Sequence, residues 1–327
     1  MKRMRVVALV LAIVLFSSIL SFNTSFTAPK KLKIGVAIPS ADHGWTGGVV
    51  WWAKKAIADW QNKDKNIEFY LVTSESASQQ VGQVEDLMVK GIDGLVILAH
   101  DSAPLTPVVE EAKKKGIYIV SVDRGLTKPV EDVYIAGDNP GYGRIAAQYI
   151  AKELKGKGKI VILEGIPCVI NTERVEAFKA VMKNYPDIEI LDSQPAYWST
   201  QKGLEVMENY LQKYKQIDAV WTGDDDVLKG VLQAYKESGR KDIKLFVGGG
   251  GSKDIVKMIM DGDPVVRATA TYPPSMIATG ISLAIMGLRG QHLSGFYQRQ
   301  IPSKIILAAE LITKSNAKYY YEPDSIY

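Results

Sequence analysis

The sequence is poor in the residues that build disulfide frameworks, metal sites and nucleophilic active sites. Among its 327 residues it has one cysteine and three histidines. One thiol cannot form an internal disulfide, and histidines so far apart in the sequence do not have the spacing of a zinc site. The cysteine, Cys168, lies in the apolar stretch Ile166–Ile170, which favours a buried, inert thiol over a nucleophile. We therefore expect a fold stabilised by its core, without metal, cofactor or catalytic residues.

The chain also has little excess charge of either sign. Its formal net charge is +4, and Lys2, Arg3 and Arg5 near the start supply three of these four charges. A chain that is nearly neutral over the rest of its length has no general attraction to nucleic acid. The sequence therefore predicts no nucleic-acid partner.

No apolar run in the sequence reaches the roughly 20 residues that a membrane-spanning helix needs. The run Val6–Phe16 follows three basic residues and precedes small polar residues that continue to Ala28. Basic, apolar and polar regions in this order predict a secretory signal peptide over residues 1–28, and therefore a periplasmic location. An uncleaved membrane anchor is the alternative, because no clear Ala-x-Ala cleavage site is visible.

From Lys31 onward, short β-branched apolar stretches alternate with longer stretches that have apolar residues at helical spacing. This alternation predicts α/β architecture, with parallel sheets and right-handed crossover connections. The series is complete near Gly137 and then repeats, which predicts two doubly wound lobes with a ligand cleft between them. The first helix is predicted to begin at Val49 after a loop, and a late strand is predicted over Ile305–Leu311. We expect the first lobe over residues 31–137 and 272–300, and the second lobe over residues 138–271 and 301–327.

Polar side chains follow the predicted strands at the points where the strands end. Tyr118–Val122 is largely β-branched and apolar, and Asp123 and Arg124 come directly after it. In an open α/β sheet, ligands bind beyond the carboxyl ends of the strands. A carboxylate beside a guanidinium suits an uncharged, polyhydroxylated ligand, because each hydroxyl both donates and accepts a hydrogen bond. An internal salt bridge is the alternative. Further candidate ligand residues after strand ends are His43, Trp45, Thr46, Asn171, Thr172, Trp198, Asp224 and Tyr272.

Two of these candidates, Trp45 and Trp198, come from different predicted lobes. The apolar face of a sugar or cyclitol ring can lie on an indole while the ring hydroxyls reach polar side chains. Packing beneath a loop is the alternative for either tryptophan. In the run Asp224-Asp-Asp226 we expect Asp224 to contact the ligand and Asp225 or Asp226 to cap the next helix, because adjacent side chains point in different directions.

Four segments of the sequence resemble the ribose- and galactose-type periplasmic binding proteins that supply ABC importers. They are Ile34–Pro39, Val120–Arg124, Gly137–Gly143 and Ser193–Ala196, and the resemblance covers about residues 31–315. It implies the type I periplasmic binding protein fold, in which a hinge of three chain crossings joins two lobes that hold a sugar in the cleft. We accordingly expect a monomer that delivers its ligand to an ABC transporter permease.

The resemblance also places the ligand contacts, and several of them depart from the family pattern. A second-lobe arginine of many members falls on Thr172, with Arg174 as the nearby motif arginine, and a family carboxylate falls on Gly250. A hinge glutamine falls on Tyr272 and a carboxamide on Asp224. These changes imply a neutral polyol that is not simply ribose, such as a hexose, a pentose or a cyclitol like myo-inositol. The other family contacts fall on His43, Trp45, Thr46, Asp123, Arg124 and Trp198.

Three other classes of protein share parts of this pattern. A transcription regulator with the same core needs a helix-turn-helix ahead of it, where this chain has an apolar leader. A dehydrogenase needs a glycine fingerprint after its first strand, which this chain lacks, and the later run Gly248–Gly251 does not have the G-x-G-x-x-G order. A sensor-coupled binding protein, which presents its ligand to a receptor, is not separated from an importer component by the sequence.

Overall fold

The computed structural model describes residues 31–41, 44–291 and 301–327. The predicted signal peptide over residues 1–28, the candidate ligand residue His43 and the predicted end of the first lobe, 292–300, lie outside the described residues. Among the helices within those ranges, none is both long enough and apolar enough to cross a membrane.

Strands and helices alternate along the described chain. The strands are β1 (Leu32–Pro39), β2 (Ile67–Ser74), β3 (Gly94–Ile97), β4 (Tyr118–Val122), β5 (Val133–Gly137), β6 (Lys157–Glu164), β7 (Asp187–Pro195), β8 (Ala219–Thr222), β9 (Leu245–Gly250), β10 (Val266–Thr271), β11 (Lys304–Leu307) and β12 (Leu311–Thr313). The α-helices are α1 (Gly44–Lys63), α2 (Ala77–Val89), α3 (Ser102–Lys114), α4 (Asn139–Glu153), α5 (Val169–Met182), α6 (Thr200–Lys213), α7 (Asp225–Ser238), α8 (Lys253–Asp261) and α9 (Met276–Leu288). A short 3-10 helix, Ala317–Tyr319, follows the last of these strands.

The described strands form two six-stranded sheets, one in each lobe. The first sheet has the order β11-β5-β4-β3-β1-β2, and all its neighbouring strands are parallel. The second has the order β12-β10-β9-β8-β6-β7, with β12 antiparallel to β10 and the other pairs parallel. Because parallel strands end at one edge of a sheet, the residues that follow them are brought together there.

Helices cover both faces of each sheet, as a doubly wound fold requires. In the first lobe α1 and α9 contact one another on one face, while α2 and α3 contact one another on the other. In the second lobe α4 pairs with α5, and α6 pairs with α7. The central strands of the first sheet are therefore buried on both sides: Val96 and Val120 on one face, and Leu95 and Ile119 on the other, have no exposed surface.

The chain crosses between the lobes three times. The crossings connect β5 to α4, β10 to α9, and β11 to β12. Hydrogen bonds join the crossings to one another: Asp138 N donates to Leu307 O at 2.9 Å, and Thr271 N donates to Glu310 O at 2.8 Å. The predicted fold, with two doubly wound lobes and a hinge of three crossings, is confirmed.

The third crossing does not lie where the sequence predicts it. The stretch predicted as one late strand, Ile305–Leu311, contains parts of β11 and β12, which belong to different sheets. The crossing therefore lies between Leu307 and Leu311, and β11 extends the first sheet, although the prediction assigns residues 301–327 to the second lobe. The stretch contains no glycine or proline, so its pattern gives no sign of the crossing.

Two further local features differ from the sequence-based prediction. Helix α1 begins at Gly44 instead of Val49, and its first turns are buried despite two adjacent glycines, because tertiary packing overrides their low helix propensity. Cys168, which the pattern predicts to be buried, is half-buried directly before α5.

Candidate functional site

A cavity lies between the lobes at the carboxyl ends of both sheets. It is narrow, with a volume of about 30 Å³. Six of the ten predicted ligand residues line it: Trp45, Asp123, Arg124, Trp198, Asp224 and Tyr272. The lobes also contact one another beside it, because the backbone N–H of Gly44 donates to the Asp226 carboxylate across the cleft at 2.9 Å.

Trp45 reaches the cavity from the first turn of α1. Its side chain is 7% exposed, and its indole Nε1 donates to the backbone oxygen of Tyr272 at 2.9 Å. The two aromatic rings lie 5.9 Å apart with their planes tilted by 45°. Trp45 is therefore fixed against the second crossing of the hinge, which gives the ring one orientation toward the cavity.

Asp123 and Tyr272 join the first lobe to the hinge inside the site. Asp123 has a left-handed backbone with φ of 60° and is 5% exposed. The Tyr272 hydroxyl donates to Asp123 Oδ1 at 2.5 Å. Burial, followed by the nearby Asp123 charge, raises the pKa of Tyr272 well above its ordinary value, so the phenol stays protonated and remains a donor.

Arg124 lines the same wall but is tied to its own lobe. Its Nη1 donates to the backbone oxygen of His100 at 2.7 Å, in the loop after β3. The carbonyl fixes one end of the guanidinium, and the fork still offers further N–H donors for a ligand. Among the ion pairs of the described residues there is none between Arg124 and Asp123, so the predicted alternative of a salt bridge between the two is not found.

Arg174 occupies the centre of the site from α5. Its guanidinium carbon lies 4.2 Å from the ring centroid of Tyr142 and 4.2 Å from that of Tyr272. Its Nε donates to Asn139 Oδ1 at 3.0 Å, and Nη1 donates to the backbone oxygen of Gly223 at 3.4 Å. The guanidinium is thus held between two aromatic faces in a site where it is 6% exposed.

Trp198 enters from the opposite side of the cleft, after β7. Tyr197 and Trp198 both have a φ of 56°, a left-handed conformation that is uncommon for aromatic residues. The two side chains part at this turn: Trp198 lines the cavity, whereas Tyr197 is 51% exposed. Trp198 also lies directly against Gly165, whose ideal Cβ would come within 2.0 Å of the indole nitrogen.

The three acidic residues at the start of α7 make different contacts. Asp224 lines the cavity and caps the helix, since its Oδ1 accepts from Asp226 N at 2.7 Å. Asp225 accepts from the backbone N–H groups of Gly249 and Ser252, at 2.8 and 2.7 Å. Asp226 accepts the inter-lobe bond from Gly44. The expectation that Asp225 or Asp226 caps the helix is therefore wrong: the residue that faces the cavity also supplies the cap.

Three predicted residues do not line the cavity. Thr46 is 2% exposed, within α1. Asn171 is turned toward its own loop, where its Oδ1 accepts from Gly165 N at 2.7 Å and its Nδ2 donates to Glu164 at 3.2 Å. Thr172 is exposed on α5. His43, the remaining predicted contact, lies outside the described residues.

Four residues that line the cavity were not among the predicted contacts: Tyr142, Ile170, Arg174 and Gly250. Ile170 and Arg174 are four residues apart on α5 and share one helix face, whereas Thr172 is two residues from each and points elsewhere. The helical spacing is the signal that could have identified Arg174, once the start of α5 is known.

The lining combines groups that suit an uncharged ligand. The formal charges of Asp123 and Asp224 are balanced by those of Arg124 and Arg174, so the site has no formal net charge. Indoles from both lobes offer apolar faces, and the charged groups offer strong donors and acceptors. A small molecule with apolar C–H faces and hydroxyl edges matches both properties.

Comparisons with known proteins agree with this geometry. The family model of the periplasmic binding protein domain matches residues 34–292. The ribose import binding protein of Bacillus subtilis is 32% identical over 250 residues, which is 76% of this chain and 78% of that protein. It is one of several similar curated proteins.

Two solved structures have the same architecture. The fructose-binding periplasmic domain of a hybrid two-component system is 29% identical, with a TM-score of 0.73 over 89% of this chain and 93% of that chain. An ABC transporter solute-binding protein of Bacillus halodurans with bound myo-inositol has a TM-score of 0.77 over 90% of this chain and 99% of that chain. At 20% identity, the second likeness shows the fold alone.

Proposed function

Because this chain belongs to the periplasmic binding protein domain family, we propose that it captures a neutral sugar or cyclitol between its lobes and delivers it to an ABC permease. Like the relatives that it matches, it is a binding protein and not an enzyme. The observation that carries the proposal is the charge-balanced, aromatic-lined cavity to which both lobes contribute.

The balance of charges favours a neutral ligand. Asp123, Asp224 and Arg174 are each at most 6% exposed, and with Arg124 they make a set of two negative and two positive formal charges. A charged ligand would leave one of these groups without compensation in a site with little water, which costs several kcal/mol. A pentose, hexose or cyclitol such as myo-inositol carries only hydroxyl groups and avoids that cost.

The narrow cavity supports a capture mechanism that depends on lobe movement. At about 30 Å³ it is far smaller than small-molecule sites, which start near roughly 300 Å³. The lobes must therefore separate for a sugar to enter between Trp45 and Trp198. A ligand that contacts both lobes shifts the equilibrium toward closure by its differential affinity for the closed state. The closed lobes then present one continuous face to a permease.

The family and the leader sequence together support a role outside the cytoplasm. The residues assigned to a signal peptide, 1–28, would direct the chain through the membrane and be removed. We infer a periplasmic monomer with two partners, a neutral polyol and a permease, and with no nucleic-acid partner.

A sensor-coupled protein is the second candidate function. The fructose-binding domain that shares this architecture belongs to a hybrid two-component system, so the fold also serves in sensing. Neighbouring genes for an ATPase and a permease would favour import, whereas a neighbouring gene for a membrane-bound kinase would favour sensing.

A thermal-shift screen tests the ligand class. We would screen D-ribose, D-galactose, D-fructose, xylitol and myo-inositol against D-galacturonate as the charged control. A true ligand at 100 times its Kd adds about 2.7 kcal/mol to the free energy of unfolding, because it binds only the folded state. Stabilisation by none of the neutral compounds, or by galacturonate alone, would contradict the proposal.

Replacement of Asp123 tests the same site from the protein side. Asp123→Asn keeps the shape of the side chain and removes its charge, and a hydrogen bond to a charged acceptor is worth about 1.4 kcal/mol more than one to a neutral acceptor. We expect the Kd for the best ligand of the screen to rise about tenfold by titration calorimetry. Asp59→Asn, on an exposed ion pair with Lys55, is the matched control and should leave the Kd unchanged. An unchanged Kd in both variants would remove Asp123 from the site.

A further inference from the structure

The segment after the last strand returns to the cleft, where Tyr327 is buried. Ser325 and Tyr327 are 1% and 6% exposed, whereas Ile326 between them is 63% exposed. Lys253 Nζ donates to the backbone oxygen of Ser325 at 2.5 Å, and the Ser325 hydroxyl donates to Tyr327 O at 2.7 Å. These bonds fix the segment and direct the Tyr327 ring inward.

Tyr327 contacts both lobes. On the side of the first lobe, an ideal Cβ on Gly48 of α1 would lie 2.9 Å from Tyr327 Cβ, so the two backbones pack closely. On the side of the second lobe, the Tyr327 hydroxyl lies 3.4 Å from Asp224 Oδ2. The ring therefore stands between α1 and the carboxyl ends of β8 and β9.

The Tyr327 hydroxyl occupies the space beside Gly250, the position where the family pattern has a carboxylate. Gly250 has a φ of 111°, which strains any residue with a side chain. An ideal Cβ there would lie 2.1 Å from the Tyr327 oxygen. The polar group at this place is thus supplied by a residue distant in sequence.

The environment of Tyr327 keeps its hydroxyl protonated. Burial first, and then the charges of Asp224, Asp225 and Asp226, raise the pKa of Tyr327 well above its ordinary value. A protonated phenol donates to a carboxylate. Asp224 therefore accepts from Asp226 N at Oδ1 and from Tyr327 at Oδ2, and its orientation toward the cavity is fixed at both oxygens.

We propose that Tyr327 is a positioning residue for ligand capture. Its hydroxyl holds the Asp224 carboxylate toward the ligand, and it takes the place of the family carboxylate that is absent at Gly250. The expected effect of Tyr327 on ligand affinity rests on the proposed function. Its effect on the orientation of Asp224 rests on the structure alone. The residue does not line the cavity itself, so its influence on the ligand passes through Asp224.

The affinity test uses Tyr327→Phe, which keeps the ring and deletes the hydroxyl. Loss of a hydrogen bond to a charged acceptor should raise the Kd for the best of D-ribose, D-galactose, D-fructose, xylitol and myo-inositol about tenfold. In an Asp224→Asn background, Tyr327→Phe should raise the Kd less than threefold, because the carboxylate that accepts the Tyr327 hydrogen bond is already replaced. Tyr319→Phe, at a tyrosine that is 76% exposed, should leave the Kd unchanged. A wild-type Kd in Tyr327→Phe, or an equal loss in both backgrounds, overturns the proposal.

A second measurement needs no ligand and separates this proposal from the proposed function. The amide of Asp226 donates to the same carboxylate that Tyr327 holds, so its hydrogen exchange reports on Asp224. Tyr327→Phe should speed exchange at this amide severalfold, while amides at the core of β8 keep their rates. Unchanged exchange overturns the role of Tyr327 even if a sugar binds. Faster exchange supports it even if none of the five compounds binds, in which case only the proposed function fails.

Discussion

Replacement of Trp198 by alanine is expected to weaken sugar binding about 100-fold, because roughly 100 Å² of apolar contact with the ligand ring is lost at ~25 cal/mol per Å², and the ring-specific attraction is lost with it. The indole is one of the apolar groups that the second lobe offers to the cavity, together with Ile170 and the ring of Tyr142. The effect on stability should be much smaller, since Trp198 is only half-buried. Titration calorimetry with the best ligand of the screen measures the change in Kd.

Tyr197→Ala is the matched control for Trp198→Ala. Both residues have a φ of 56°, so the two alanine variants share the same backbone strain. Their side chains point to different places, since Tyr197 is 51% exposed and does not line the cavity. We expect Tyr197→Ala to keep the wild-type Kd. Equal losses of affinity in the two variants would show that the turn, and not the indole, matters for binding.

Replacement of Arg174 by methionine is expected to lower the free energy of unfolding by about 4 kcal/mol, since a buried charge network that loses one partner leaves the others uncompensated. Arg174 is also the group between the rings of Tyr142 and Tyr272, and each desolvated contact of this kind contributes about 2 kcal/mol. Methionine fills part of the volume and supplies no charge. Urea unfolding followed by circular dichroism measures the loss.

Arg144→Met is the control for Arg174→Met. Arg144 is a surface arginine on α4 that lies 3.7 Å from Asp138, with a side chain that is 51% exposed. Surface ion pairs of this kind contribute about 0–1 kcal/mol, so this variant should unfold nearly as the wild type does. If Arg174→Met were equally mild, the contacts of Arg174 with the two rings would contribute little to stability.

The strand-end rule found most of the first lobe's contribution to the site. Asp123 and Arg124 directly follow β4, and the edge of a parallel sheet brings such residues into the cleft wherever the neighbouring loops lie. Trp45 was found for the same reason, although the segment that carries it is helical and not a loop. The rule works without knowledge of tertiary contacts because it depends only on where a strand ends.

Residues that reach the site from helices were harder to predict. Arg174 and Thr172 are two positions apart, and only the phase of α5 decides which of them faces the cavity. The pattern Val169–Met182 is apolar on more than one face, so the sequence does not define that phase. Tyr142 lies in the segment Gly137–Gly143, which resembles the family, but its role depends on contact with Arg174 from another helix.

Asn171 shows the opposite kind of error. Its position after a strand end predicts a ligand contact, but its amide satisfies the backbone N–H of Gly165 and the Glu164 carboxylate. Buried backbone groups in a tight loop need partners, and a nearby amide is often the group that supplies them. The sequence does not show whether such a side chain bonds to the ligand or to its own loop, because that depends on the positions of both.

The position of Tyr272 has a consequence for the redesign of this binding protein. The residue belongs to the second chain crossing and, through its hydroxyl, to the ligand wall. On the proposed function, one residue would therefore influence both the selectivity for the ligand and the rate of its release. In a biosensor built from this protein, a substitution at Tyr272 that alters ligand selectivity would therefore also alter the residence time of the ligand.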